Sequence, residues 1–133
     1  MSRPREPWWP YVKNVIRRYP AYEAELKQIR ATSVTTRYSK GRGGSGSSRK
    51  TEQAAMRTLP ERDQQRHDAV ARALRRTRRM PDGDLRCRLI ELTYFTGRVN
   101  MQGAAIALHV AYRTILRWHR DFIYLTAEYL GLT

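Results

Sequence analysis

Residues 100–120 read Asn-Met-Gln-Gly-Ala-Ala-Ile-Ala-Leu-His-Val-Ala-Tyr-Arg-Thr-Ile-Leu-Arg-Trp-His-Arg. Arg113, Arg117 and Arg120 recur there at spacings of four and three, which places them on one side of a helix with Tyr112 and Leu116 beside them. A guanidinium offers two parallel N–H donors that fit a phosphate or the major-groove edge of guanine. An apolar or aromatic neighbour fits the methyl group of thymine. A second cluster, Arg72, Arg75, Arg76, Arg78 and Arg79, packs five arginines into eight residues with no acid among them. Cations suit the C-terminus of a helix, but five exceed what its dipole needs. Arg72, Arg75, Arg76 and Arg79 are therefore expected to meet phosphates. A third cluster lies in the Gly/Ser-rich stretch 37–50, which carries five cations, Arg42 among them, and no acid. It reads as a tether that also contacts DNA loosely.

Other chemistry finds few residues to use. Cys87 is the only cysteine, so an internal disulfide is impossible, and one thiol with three scattered histidines cannot build a zinc site. Cys87 falls off the apolar stripe of its helix and reads as an inert small residue. His67 and His119 are expected at the surface. No paired-carboxylate cluster for acid–base catalysis is found, and no Ser or Tyr has an assignable base or arginine cage. The glycines of 41–46 lack the Gly-Lys-Ser/Thr and the preceding strand of a phosphate loop. The chain is therefore expected not to be an enzyme, with no catalytic residue, cofactor or metal.

Charge gives the class of partner. The 133 residues hold 26 Lys and Arg against 12 Asp and Glu, a net charge of +14. Residues 1–83 hold 20 of those cations against 8 acids, and residues 84–133 hold 6 against 4. Only four of the cations are lysines. Mean hydropathy is −0.72 and the sequence pI is near 10.9. Such a chain is expected to bind a polyanion, and the arginine bias suits double-stranded DNA. No apolar run approaches the ~20 residues that span a bilayer, and the N-terminus has no signal-type run, so a cytoplasmic protein without membrane association is expected.

The elements that must carry these residues are all helical. A helical segment over 1–36 is expected, with Tyr11, Val15, Ile16 and Tyr19 on one face and Pro20 breaking or restarting the helix. Trp8 and Trp9 are expected to pack onto the body or onto a second copy, so a homo-oligomer stays open. The flexible basic linker covers 37–50. The body, 51–133, is expected to share no core with the N-terminal segment. It begins with a helix over Thr51–Leu59, followed by one from Pro60 to about Arg79. The turn Met80-Pro81-Asp82-Gly83 then leads, with Asp84 as N-cap, into a helix from Leu85 to about Thr96. Leu85, Leu89, Leu92 and Phe95 form its stripe, with Ile90 and Tyr94 flanking, and Gly97 ends it. Ile106 and Leu108 are expected to bury against that helix. The last helix carries a stripe of Ile115, Trp118, Phe122, Leu125 and Tyr129.

The stretch from Met101 to Trp118 resembles a helix-turn-helix. Ala105 takes the small position where the helices cross, His109 the turn position that favours glycine, Val110 the first apolar position after the turn, and Ile115 and Trp118 the inner face. A histidine at the turn must adopt positive φ at some cost. Tyr112, Arg113, Leu116, Arg117 and Arg120 would then face the major groove.

Over most of its length the chain also resembles the RinA/ArpU group of phage late-gene transcriptional regulators. The likeness rests on the aromatic Trp8–Tyr22 stretch, the Gly41–Lys50 linker, the polar Glu61–Arg79 helix, Leu89-Ile90-Glu91-Leu92-Thr93-Tyr94-Phe95, the Met101–Trp118 motif and Ala127-Glu128-Tyr129-Leu130-Gly131-Leu132. The body is similar to the promoter-reading region 4 of sigma factors. The resemblance implies a DNA-binding regulator of late promoters, with RNA polymerase as a further partner. The alternative is a phage small terminase, which pairs the same motif with a ring-forming helical region. RNA binding fits the basic linker less well than duplex DNA fits the motif.

Overall fold

The structure, a computed structural model, describes residues 6–40 and 59–133, apart from the side chains of 32–40. Every regular element among them is helical. In chain order these are α1 (Trp9–Lys40), α2 (Glu61–Arg78), α3 (Gly83–Ile90) continued by a π-helical turn (Glu91–Phe95), α4 (Met101–Leu108) and α5 (Tyr112–Tyr129). Residues 37–40, expected in the linker over 37–50, continue α1 as helix, Leu59 is not helical, and the rest of that linker, with Arg42, and of the helix expected over Thr51–Leu59 lies outside the described residues.

The chain divides into two compact units, one of Met1–Tyr19 with Gln65–Thr133 and one of Pro20–Gln64. The first division falls inside α1 at Pro20. The helix nevertheless continues through that proline instead of breaking there. A proline forfeits one backbone hydrogen bond, and the rest of the ladder carries the helix past it.

The larger unit has one core. Trp9, Val12, Val15 and Ile16 of α1 lie in it with Val70 and Ala73 of α2, Leu89, Ile90 and Tyr94, Ala104, Ala105 and Leu108 of α4, and Ile115, Trp118, Phe122, Ile123 and Ala127 of α5. The start of α1 therefore belongs to the same core as the body, against the expectation of a separate N-terminal segment. The reason is area. Trp9, Val12, Val15 and Ile16 are each at least nine-tenths buried, and each such side chain contributes about 1.5–3 kcal/mol when removed from water. The buried spacing starts from Trp9 and Val12, so Tyr11 is turned outward and is 40% exposed. Its ring carries the guanidinium of Arg66 at 5.5 Å, and Arg66 Nε donates to its hydroxyl at 3.1 Å. Trp8 and Trp9 meet Tyr124 of α5 edge-on at 5.4 and 5.8 Å.

The two histidines expected at the surface are covered instead. His119 is 9% exposed. Its Nε2 shares a 2.6 Å hydrogen bond with the Tyr94 hydroxyl, the two rings stack, and Trp9 meets it edge-on. His67 is half-buried, stacked on Tyr19 with ring centres 5.2 Å apart. Cys87 is 3% exposed. Its thiol lies 3.6 Å from the Leu74 carbonyl, and burial pushes its pKa up.

The Met80–Gly83 turn closes with Gly83 N–H donating to the Met80 carbonyl at 2.9 Å. Asp82, at φ 59°, is the residue before α3, so the helix starts two residues earlier than an Asp84 cap would set it. Gly83 is required by close approach: a Cβ there would collide with the Arg78 carbonyl oxygen. After α3 the Thr96 N–H reaches back five residues to the Glu91 carbonyl at 2.8 Å, the signature of a π turn. Such a turn adds a residue per repeat and shifts which side chains face inward. Leu89, Ile90 and Tyr94 are the buried ones, while Leu85, Leu92 and Phe95 are only partly buried. Gly97 follows at φ 62°, in the left-handed geometry expected of it.

Candidate nucleic-acid interface

Asn100 begins the site. Its side chain accepts from the Gly103 N–H at 2.9 Å, which caps the first turn of α4. Met101, Ala104, Ala105 and Leu108 fall on one side of the helix, and the last three are buried. With methyl groups only at Ala104 and Ala105, α5 can approach closely. The helix ends at His109, whose φ of 56° and ψ of 44° lie in the left-handed region. Val110 N–H then donates to the Ala105 carbonyl at 3.0 Å, turning the chain sharply into α5.

Ala111 precedes α5 and supplies no side-chain cap, and the first turn of the helix contains no acid. The first backbone N–H groups of an 18-residue helix are thus left to solvent or a ligand at the positive end of its dipole. Around this end the exposed side chains are Tyr112, Arg113, Leu116, Arg117 and Arg120. Tyr112 is 44% and Leu116 42% exposed. Between them Ile115 and Trp118 point into the core at 0% and 5% exposure. The inner face of α5 is broader than the expected stripe. His119, Ile123, Thr126 and Ala127 are buried as well, and Trp9 of α1 meets His119 edge-on.

Of the α2 arginines, Arg72 lies away from this face. Arg72 lays its guanidinium 4.5 Å over the ring of Tyr129, the last residue of α5. Arg113 and Tyr129 are sixteen residues apart, which is about 24 Å along a helix. Arg75, Arg76 and Arg79 are exposed towards the end of α2. Thr77 and Met80 at that end line a small cavity together with Trp118, Phe122 and Leu125 of α5.

Ile106 is 77% exposed, against the expectation that it packs on the preceding helix. It stands off the Met101–Ala104–Ala105–Leu108 side of α4, so its position, not its hydropathy, decided its place. Gln102 and Ile106 both face outward from α4, and Arg98 is exposed just before that helix. The helical period of α4 would have found Ile106; no sequence signal singles out Arg98 among so many arginines. Among the described residues no helix is long and apolar enough to cross a membrane. Comparison of the chain with protein-family models, curated proteins and solved structures finds no match.

Proposed function

We propose that the protein is a sequence-specific double-stranded DNA-binding transcriptional regulator, with α4, the His109–Ala111 turn and α5 acting as a helix-turn-helix. One juxtaposition carries this reading. Tyr112, Arg113, Leu116 and Arg117 stand exposed at the uncapped, acid-free start of α5, while Ile115 and Trp118 on the same two turns are buried. A helix so anchored can enter a major groove by its first turns. Its free N–H groups and Arg120 meet phosphates, Arg113 and Arg117 read guanine edges, and Leu116 and Tyr112 contact thymine methyls. The net charge of +14 supplies the nonspecific attraction that brings the duplex within reach. Action on phage late promoters, beside RNA polymerase, rests on the resemblance to RinA/ArpU regulators. The test is selection from a randomised duplex pool. One enriched motif containing guanines is expected. Equal recovery of all duplexes, or a preference for single strands or RNA, would overturn the reading.

A further inference from the structure

A groove of about 710 Å³ opens beside the end of α2, lined by Glu6, Trp8, Met80, Asp121, Tyr124 and Glu128 among others. Its character is opposite to that of the chain. Asp121 and Glu128 are two of the only four acids after residue 83, and both are here. Glu6 and Glu128 are exposed, and Asp121 is shared with Arg86 at 3.5 Å. The floor is aromatic. Trp8 and Tyr124 meet edge-on at 5.4 Å, and Tyr124 is still 38% exposed. Flat rings beside carboxylates suit a guanidinium, which stacks on the one and pairs with the other.

The chain carries the complementary surface next door. Met80 lines the groove and directly follows the arginine-rich end of α2, where Arg75, Arg76 and Arg79 are exposed. We propose that this groove takes the α2 arginines of a second copy of the chain, forming a two-fold dimer. A two-fold interface needs one patch that is complementary to itself: residue i meets residue j, and j meets i. Acidic groove and basic helix end, side by side, make such a patch. Had they lain on opposite sides of the molecule, the same attraction would have built open chains or rings. The inference does not depend on the DNA reading, because the dimer forms without a nucleic acid.

Sedimentation velocity of the full chain, free of nucleic acid, tests it across the micromolar range at low and high salt. The expected result is a species of twice 15.6 kDa at low salt that dissociates as salt rises. Glu128→Arg alone and Arg76→Glu alone should each weaken the dimer at least tenfold. The double variant, which restores opposite charges across the interface, should recover it. Circular dichroism of each variant separates lost pairing from lost folding. A monomer under all these conditions, assemblies larger than a dimer, or a charge swap that fails to restore pairing would overturn the proposal.

Discussion

The first turns of α5 and the last turns of α2 are both rich in arginine, but the two helix ends are electrically opposite. At the start of α5 the dipole is positive, no side chain caps it and no acid stands in the first turn. Arginines placed there add positive charge to positive charge, which is favourable only when an anion arrives. At the end of α2 the dipole is negative, and Arg75, Arg76 and Arg78 in its last turn are already favourable without a partner. Arg72, one turn earlier, has found a ring to lie on. A run of like charge therefore says less about a ligand than where along a helix it falls.

The largest expected effect removes the ground on which both ends stand. Deleting residues 1–19 strips Trp9, Val12, Val15 and Ile16 from the core. At about 1.5–3 kcal/mol each, the loss rivals the ~5–15 kcal/mol that stabilises a typical domain. The truncated chain should lose its cooperative thermal transition; a sharp transition in residues 20–133 would show that the body stands alone. Trp118→Ala acts between the two ends, since Trp118 sits on the second turn of α5 and lines a small cavity with Thr77 and Met80. It should cost ~3–5 kcal/mol of stability, measured by urea denaturation, and weaken DNA binding only through unfolding.

The contrast between the ends is sharpest in binding. Arg113→Ala or Arg117→Ala should leave stability within about ±0.5 kcal/mol and reduce specific binding by ~1–3 kcal/mol, relaxing the preference at one base pair. If ~6 phosphates are neutralised, log K should fall with log salt at a slope near −5. Alanine at Arg75 and Arg76 should leave that slope nearly unchanged, whereas loss of phosphate contacts around α5 flattens it by about 0.9 per contact. Wild-type affinity in the Arg113→Ala/Arg117→Ala variant would move the DNA-binding face to α2.

The smallest effect belongs to Cys87. Burial raises its thiol pKa above the ordinary 9.0. The neutral thiol is thus favoured in the folded chain, and its contribution is complete below that value and lost as pH rises above it. Native protein at pH 8 should react with a thiol reagent far more slowly than unfolded protein does. Equal rates would mean that the helix bearing Cys87 opens freely.

Several features were legible because they depend on local geometry. The interval from Ala105 to His109 set the turn, and His109 does take the left-handed conformation. Period and apolar spacing placed Ile115, Trp118 and Phe122 inside α5 and left Arg113, Leu116 and Arg117 outside. Ile106 is apolar yet exposed, because its position on α4 and not its hydropathy decides its burial. Gly83 is legible as a turn residue, but the contact that demands glycine, with the Arg78 carbonyl, belongs to the fold of the turn against α2.

What the sequence determined by itself was the helical class, the order of the later helices and the exposed face of α5, because helical period, turn chemistry and net charge are properties of neighbouring residues. Tertiary structure alone decided that Trp9 and Val12 belong to the same core as Ile123, that His119 is buried against Tyr94, and that the acidic groove adjoins the arginines of α2. Those outcomes join residues up to a hundred or more positions apart. No local pattern encodes them, since the burial of a side chain depends on which distant surface arrives to cover it.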